Sequence, residues 1–276
     1  MIKIIDLSVT IKNRDKGQLE PVHIKYFSHK KGGNLLGLGC LILTNDSFLT
    51  RIKNFFTYVS GLKRVTYKDF PDNFGLAWEQ VNISTHCGTH LDASYHYGPT
   101  SEDKPSLTIE KIAPEICFSD GLILDFRNKK AGEIITVQDL EIGLKKISYH
   151  LKPKDIVLIM TGRDKLLYKK EYPFSHPGLS KESVEWIIDK GVKIIGIDAW
   201  SIDRPISFMI KDYLKYKDKS LLWPAHLAGR KREFFHIEQL ANLEAIPKPL
   251  GFKIACLPIK IENASAGWCR VVAMIE

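Results

Sequence analysis

The sequence predicts an α/β fold in which some neighbouring strands run parallel. Three short apolar segments, 121–126, 155–160 and 192–197, have the length and composition of buried strands. Two segments with helical periodicity, 137–147 and 180–191, alternate with them along the chain. Because a strand–helix–strand succession is the unit from which parallel sheets are built, this order indicates an α/β core.

Both helices have identifiable ends. Thr136 precedes the first helix and can accept a hydrogen bond from its free backbone N–H groups. Ser180 has the same position before the second helix, which is expected to end at Gly191. Further strands are expected near the ends of the chain, in residues 2–11, 251–261 and 269–275.

The composition is that of an ordinary soluble globular protein, with 44% hydrophobic and 26% charged residues. The 276 residues can bury a substantial core, and no repeat or linker divides them, so one domain is expected over residues 1–276. The net charge is +8, but the lysines are scattered and no nucleic-acid-binding motif is present. Nucleic acid is therefore not an expected partner, although the charge can attract an anionic substrate.

The cysteines and the N-terminus indicate the cellular compartment that is expected for this protein. The five cysteines are odd in number and contain no C-x-x-C pair, so neither a disulfide framework nor a cysteine-based zinc site is expected. Residues 1–6 lack the apolar run of a signal peptide, and no stretch approaches the roughly 18 apolar residues of a membrane span. A cytoplasmic protein without a membrane partner is expected.

The segment 86–96 concentrates the residues that can carry chemistry. Three histidines and one aspartate fall within eleven residues, at His86, His90, Asp92 and His96. Neutral imidazole binds borderline metals through one ring nitrogen, and a carboxylate adds charge and can bridge two ions. This density of potential ligands favours a metal site over a histidine-rich strand or turn.

A shared ion requires the segment to bend. In a straight strand His86 and Asp92 would lie roughly 20 Å apart, at about 3.3 Å per residue. Metal–ligand bonds are only about 2.0–2.2 Å long. Gly88 is the residue best able to allow the bend, because glycine adopts backbone angles that other residues avoid.

The segment resembles His-x-Gly-Thr-His-x-Asp-x-Pro-x-His, the signature of the metal-dependent cyclase family, which includes bacterial kynurenine formamidases and isatin hydrolases. The matching residues are His86, Gly88, Thr89, His90, Asp92 and His96. The sequence departs from the signature at Ser94, where the family usually has proline. Because serine lacks the fixed φ of proline, a slightly looser loop is expected there.

A second match lies near the C-terminus. His226 follows Trp-Pro-Ala, and Glu238 comes twelve residues later in a segment that resembles the family's Glu-x-Leu-x-Asn-Leu. The family's late histidine and glutamate ligands have the same separation. The resemblance therefore implies that His226 and Glu238 complete a metal site with His86, His90 and Asp92. A carboxylate at position 238, rather than an amide, suits two divalent ions.

The resemblance extends from Asp6 to Trp268 and implies the family's compact swivelling β/β/α-type fold with a mixed sheet. Residues 26–78 form an insertion relative to the shortest members, with an amphipathic helix expected to begin near Asp46 or Ser47. Three roles remain open for this helix: packing on the core, covering the metal site, or forming a subunit interface. By analogy with the family, a homodimer or homotetramer is expected.

The resemblance also implies a divalent-metal-dependent hydrolase of a small-molecule amide, either an arylformamide or a cyclic amide. One or two ions, zinc or manganese, would activate water, and His96 would act as general acid and base. Residues 11–17 lack the Pro/Gly-rich turn and the aromatic side chain of the formamidases, which argues against formylkynurenine as substrate.

Two alternatives are open. One is a different reaction at the same site, either lactone hydrolysis or biosynthetic ring closure. The other is a non-catalytic metal-binding scaffold that has kept the fold.

Several other side chains near the motifs have simpler interpretations. Asp198 and Asp203 are expected to cap local turns rather than orient ligands. His176 is expected in a surface turn, and His236, which matches no family ligand, is expected to be exposed. Cys87 is expected to be a bystander. Four aromatic residues are expected in the core rather than against a substrate: Trp200, Trp223, Phe234 and Phe235.

Overall fold

The computed structural model describes residues 2–42 and 46–275; the side chain of Cys40 lies outside the described part. Contacts between Cα atoms divide the chain into two compact units, Met1–Pro21 with Ser84–Glu276 and Val22–Ile83. Residues 26–78, expected to be an insertion, fall inside the second unit. The assignment of all 276 residues to one domain stays a prediction.

The regular elements of the described residues are as follows. The helices are α1 (His29–Ile42), α2 (Phe48–Val59), α3 (Val137–Lys146), α4 (Lys181–Asp189), α5 (Ile206–Tyr216) and α6 (Pro224–Ala228). The strands are β1 (Lys3–Asp6), β2 (His23–Phe27), β3 (Trp78–Asn82), β4 (His90–Asp92), β5 (Thr100–Ser101), β6 (Lys104–Pro105), β7 (Phe118–Asp125), β8 (Ile134–Ile135), β9 (Ile156–Met160), β10 (Gly178–Leu179), β11 (Ile194–Ile197), β12 (Phe235–Glu238), β13 (Phe252–Ala255), β14 (Ala266–Trp268) and β15 (Val272–Ile275).

Within the described part of the first unit, nine strands form one mixed sheet in the order β1-β15-β13-β7-β9-β11-β12-β4-β14. The central pairs β7–β9, β9–β11 and β11–β12 are parallel. The flanking pairs are antiparallel, including β12–β4 and β4–β14. The predicted α/β class with a mixed sheet is confirmed.

Strand periodicity divides the core of this unit between the two faces of the sheet. On β7, Leu122 and Leu124 belong to one apolar cluster, which also contains residues of α3 and α4. Ile123 points the other way, into a second cluster that contains Ile254 of β13. Because both faces are covered, β9 reads as a continuous apolar run, as expected for a buried parallel strand.

The predicted helix ends are confirmed. Thr136 caps α3 in a reciprocal arrangement with Asp139, in which each side chain bonds a backbone N–H at the helix start. The Ser180 hydroxyl accepts a hydrogen bond from the Ser183 N–H at the start of α4. Gly191 follows α4 with φ +87°, the left-handed conformation that glycine tolerates after a helix.

The second unit contains a helix that the sequence did not suggest. Residues Gly32, Gly33 and Gly37 lie within α1, although glycine is unfavourable in the interior of a helix. A Cβ atom on Gly32 would collide with the Leu76 carbonyl oxygen, and one on Gly37 with that of Val65. These glycines therefore permit close backbone packing, which outweighs their low helix propensity.

The amphipathic helix α2 begins as expected, with Ser47 accepting a hydrogen bond from the Thr50 N–H. Its twelve residues are all described, and none is buried. Phe48 and Leu49 are 75% and 77% exposed. The role of this helix, whether packing on the core, covering the metal site or forming a subunit interface, stays a prediction.

Across the described ranges, 2–42 and 46–275, no helix combines the length and apolar character needed to cross a membrane.

Candidate metal centre

The pairing of β4 with β12 brings the two sequence motifs together. In this antiparallel register His236 lies opposite Asp92, and Glu238 lies opposite His90. All four residues are buried. The motifs are separated by 130 residues in sequence, from His96 to His226, so the pairing of the two strands makes them neighbours.

The expected bend is present at Gly88, which has φ +76°. It folds the chain so that Nδ1 of His86 lies 2.9 Å from Oδ1 of Asp92. The His90 Nδ1–H donates a hydrogen bond to the Gly88 carbonyl oxygen at 2.8 Å. The bend therefore also fixes the direction of the His90 ring, and the prediction for Gly88 is confirmed.

Asp92 is the centre of the cluster, and its two carboxylate oxygens face different histidines. Oδ1 lies 2.9 Å from His86 and 3.2 Å from Nε2 of His90. Oδ2 lies 3.1 Å from Nε2 of His236, 3.7 Å from that of His96 and 4.0 Å from that of His226. The geometry suits a carboxylate that serves two cation positions.

Glu238 closes the other side of the cluster. Its Oε1 lies 3.1 Å from Nε2 of His236 and 3.7 Å from that of His226, and it accepts a hydrogen bond from the Ile202 N–H at 2.9 Å. Its Oε2 lies 3.8 Å from Nε2 of His90. The structure thus brings together all the side chains that the resemblance implies as ligands.

His236 corrects an expectation, because it is fully buried rather than exposed. It lies on β12, between β11 and β4, where both strand faces are covered. The sequence analysis did not predict a strand over residues 235–238, so the burial of His236 was not foreseen. Its contact with Asp92 is visible only in the pairing register.

His176 is also buried rather than in a surface turn. It lies two residues before β10, which pairs with β8, and its carbonyl oxygen accepts a hydrogen bond from the Gly132 N–H. Its Nδ1 lies 2.9 Å from the Pro177 carbonyl oxygen. The His-Pro-Gly sequence therefore leads into a buried strand and does not form a surface turn.

The two aspartates that follow β11 have different roles. Asp198 accepts hydrogen bonds from the backbone N–H and hydroxyl of Thr161 and from the Gly162 N–H, so it has a structural role but ties together two distant segments instead of capping a local turn. Burial raises the pKa of this carboxyl to about 7.

Asp203 accepts hydrogen bonds from the Ala225 and His226 N–H groups at the start of α6. Its Oδ2 also lies 2.6 Å from Nδ1 of His226, so Asp203 orients a candidate ligand, contrary to expectation.

Three further residues support the motif and were not singled out from the sequence. The Ser265 hydroxyl lies 2.9 Å from Nε2 of His86. The Tyr97 hydroxyl lies 2.8 Å from Nδ1 of His236. The Gln239 side chain accepts from the Gly88 N–H and donates to the His86 carbonyl oxygen. A signal existed for two of them, since Tyr97 directly follows His96 and Gln239 directly follows Glu238.

Ser94 also behaves differently from expectation. Its hydroxyl accepts a hydrogen bond from the Leu107 N–H at 2.9 Å, and the side chain is buried. Proline could not make this bond. Ser94 therefore links the motif to the following loop through this hydrogen bond, and the expected loosening of the loop is not seen.

The charges of the cluster depend on one another. Burial opposes ionisation of the two carboxylates, but the surrounding histidines hold the pKa of Asp92 well below its usual value and that of Glu238 at about 2. Burial likewise opposes protonation of His236, but Asp92 and Glu238 raise its pKa to about 10. Burial and the neighbouring imidazoles of His226 and His86 lower the pKa of His96 to about 4, against the pull of Asp92. Two ionised carboxylates in the interior thus require positive charge.

The residues fit a divalent metal ion. Because the His90 Nδ1–H is donated to Gly88, a neutral His90 presents a lone pair at Nε2, 3.2 Å from Oδ1 of Asp92. Among the described residues, His90 Nε2 and both Asp92 oxygens are buried without a hydrogen-bond partner. Two acceptors this close repel unless a cation, either a proton or a metal ion, lies between them.

A pocket of about 270 Å³ opens onto the cluster. Trp200 and Trp223 line it, so the core interpretation of these tryptophans is wrong, whereas Phe234 and Phe235 are buried in the core as expected. The remaining lining residues are Gln18, Leu19, Glu20, Ser84, His86, Cys87, His96, Ser201, His226 and Glu238. This volume lies just below the roughly 300–1,000 Å³ that is usual for small-molecule sites.

Residues 5–204 match the family described as putative cyclase. The chain belongs to the cyclase family. It is 28% identical over 200 residues to a kynurenine formamidase from Erythrobacter litoralis, a match that covers 70% of this chain and 74% of that protein.

Two solved structures share the fold. One is an isatin hydrolase bound to the product analogue thioisatinate, with a TM-score of 0.72 and 16% identity, covering 99% of this chain and 92% of that chain. The other is a potential metal-dependent hydrolase with cyclase activity, with a TM-score of 0.59 and 17% identity, covering 100% and 99% of the two chains. At these identities the likeness shows the fold alone.

Proposed function

We propose that this protein is a divalent-metal-dependent hydrolase of a small-molecule amide that is not a peptide, with an arylformamide or a cyclic amide as substrate. The observation that carries the proposal is the inward-facing Nε2 of His90 against Oδ1 of Asp92 at 3.2 Å. Membership of the cyclase family, and the formamide-hydrolysing relative within it, support the reaction class.

The residues that would hold the metal are His86, His90, Asp92, His226 and Glu238. Their donor set combines imidazole nitrogen and carboxylate oxygen, which suits zinc or manganese. The separate surroundings of the two Asp92 oxygens favour two ions over one. When bound, such an ion lowers the pKa of a coordinated water and polarises the carbonyl of the substrate.

His96 is the proposed general acid and base. It lies at the pocket wall, with its ring centre 4.1 Å from that of His86. Its side chain is 32% exposed, and its Nε2 lies 3.7 Å from Oδ2 of Asp92. A neutral His96 can accept a proton at Nε2 from the attacking water and deliver it to the leaving nitrogen.

The pocket walls would position the substrate. Trp200 and Trp223 present flat apolar surfaces, which suit a planar aromatic or cyclic amide. His86 and His226 are held by Ser265 and Asp203, so the polar side of the pocket is preorganised. A homodimer or homotetramer remains our expectation for the assembly, and light scattering on the purified protein tests it.

The test combines metal content with turnover. Protein purified without chelator should contain one or two zinc or manganese ions per chain and hydrolyse at least one member of a panel of N-formyl arylamines and cyclic amides. Chelation should abolish turnover, and added metal should restore it. His96→Gln should keep its metal and lose about 10²–10⁴-fold in kcat, whereas His150→Gln, which changes an exposed histidine, should behave as wild type.

Two outcomes would contradict the proposal. Turnover of lactones alone would move the assignment to a lactone hydrolase. Protein that neither contains nor takes up metal, and turns over no member of the panel, would leave a scaffold protein with this fold.

A further inference from the structure

His236 has the position of a ligand although the family motifs do not include it. The strand register places it opposite Asp92, and its side chain is fully buried. Its Nε2 lies 3.1 Å from Oδ2 of Asp92 and 3.1 Å from Oε1 of Glu238. It therefore faces the same two carboxylates as the expected ligand His226.

A comparison with His226 strengthens this assignment. Nε2 of His226 lies 4.0 Å from Oδ2 of Asp92 and 3.7 Å from Oε1 of Glu238. His236 is thus closer to both oxygens than the histidine that the family pattern names. The ligand atoms of Asp92, His226, His236 and Glu238 all lie within 4.8 Å of one another.

The outer nitrogen of His236 has a hydrogen-bond partner, as is usual for metal-binding histidines. Its Nδ1 lies 2.8 Å from the Tyr97 hydroxyl, just as Nδ1 of His226 meets Asp203 and Nδ1 of His90 meets Gly88. When the Nδ1–H donates to the Tyr97 oxygen, Nε2 carries the lone pair that faces the carboxylates.

The ring of His236 is also fixed by packing. Its plane lies 11° from that of Tyr97, with ring centres 5.5 Å apart, and Tyr97 in turn stacks on Phe234 at 5.0 Å. Tyr97 is only 2% exposed. A rotation of the imidazole away from Asp92 would break this stack, so Nε2 is held in place.

We propose that His236 is a further ligand of the metal centre and that Tyr97 is the residue that positions it. The proposal rests on the proposed function in requiring that the centre binds a divalent ion. It gives the ion on the Oδ2 side of Asp92 two imidazoles and two carboxylates. A second imidazole shifts the preference of this position from manganese towards zinc.

Metal binding to the full chain tests the proposal independently of turnover. Zinc affinity is measured by competition with a chelator, the ions per chain by elemental analysis, and the number of imidazoles per zinc by X-ray absorption. His236→Ala should weaken zinc binding at this position at least 100-fold and lower the imidazole count. The substitution should also lower the ratio of zinc affinity to manganese affinity.

Tyr97→Phe provides a second variant that keeps the stacked ring and removes only the hydroxyl. It should weaken zinc binding about 10–100-fold, the usual effect of losing a partner that orients a ligand. His150→Ala, at an exposed histidine, is the matched control and should bind zinc as wild type does.

The outcomes separate the two proposals. A wild-type protein that takes up no zinc, manganese or cobalt overturns the proposed function. A wild-type protein that binds zinc, together with a folded His236→Ala that binds it equally well with an unchanged imidazole count, overturns only the ligand role. His236 would then be a hydrogen-bond donor to the two carboxylates.

Discussion

His236 lies directly opposite Asp92 across β4 and β12, with Nε2 of the histidine 3.1 Å from Oδ2 of the aspartate. The next inward-facing pair in the same register is Glu238 with His90. Two cross-strand pairs therefore assemble the centre of the site, and each pairs an acidic residue with an imidazole. The geometry of the site thus depends on the register of one short antiparallel pair.

Gly88→Ala should damage both the fold and the site. At φ +76° an added Cβ costs about 1–2 kcal/mol, and it would also meet Cγ1 of Ile11 at 3.2 Å. The free energy of unfolding should fall, and zinc affinity with it, because the bend directs both His86 and His90. Denaturant unfolding and chelator competition measure the two effects.

Gly143→Ala is the matched control for this substitution. Gly143 lies inside α3, and its added Cβ would come no closer than 3.5 Å to Leu124. The free energy of unfolding should rise by about 0.5–1 kcal/mol because alanine has the higher helix propensity. Equal losses in the two variants would show that the conformation of Gly88 has no special importance.

Asp203→Asn should weaken metal binding while leaving the protein folded. The amide keeps the size of the side chain but places an NH₂ or a weaker acceptor against Nδ1 of His226, now 2.6 Å from the carboxylate. Zinc affinity should fall about 10–100-fold. Asp218→Asn, at an exposed aspartate that caps a turn, should bind zinc normally. An unchanged affinity in Asp203→Asn would remove its role in orienting His226.

Gln239→Leu should destabilise the bend from the other side. It would leave the Gly88 N–H and the His86 carbonyl oxygen without their side-chain partner, at about 1–3 kcal/mol for each unsatisfied buried group. Thermal and denaturant unfolding measure the loss. Gln138→Leu, at an exposed position on α3, should change stability little. Similar losses in both variants would argue against a role for Gln239 in holding the bend.

The stability of the protein should carry a pH dependence that comes from Asp198. Burial raises its folded pKa to about 7 from the usual 3.8, so between these values the folded state holds a proton that the unfolded state has released. The free energy of unfolding therefore falls as the pH rises through this window, by up to about 1.4 kcal/mol per pH unit. Asp198→Asn lacks this proton and should lack this contribution to the slope. Parallel pH profiles for wild type and variant between pH 4 and 7 would contradict the assignment.

Much of the fold follows from local pattern. The alternation of apolar strands with capped helices between residues 121 and 197 determined the α/β class. A continuous apolar run indicates a strand that is buried on both faces, and a capping residue directly adjoins the helix that it caps. By contrast, the glycines of α1 gave a misleading local signal. They permit close packing against Val65 and Leu76, which lie 28 and 44 residues away in the sequence from Gly37 and Gly32.

The site divides in the same way. The sequence by itself indicated which motif residues would lie together, since His86, His90, Asp92 and His96 fall within eleven residues and His226 and Glu238 keep a characteristic separation. The tertiary structure alone decided that His236 lies against Asp92, that Asp203 contacts His226, and that Trp200 and Trp223 face a pocket. The physical reason is that strand periodicity specifies the face on which a side chain lies. Only the pairing register specifies which side chain lies opposite it.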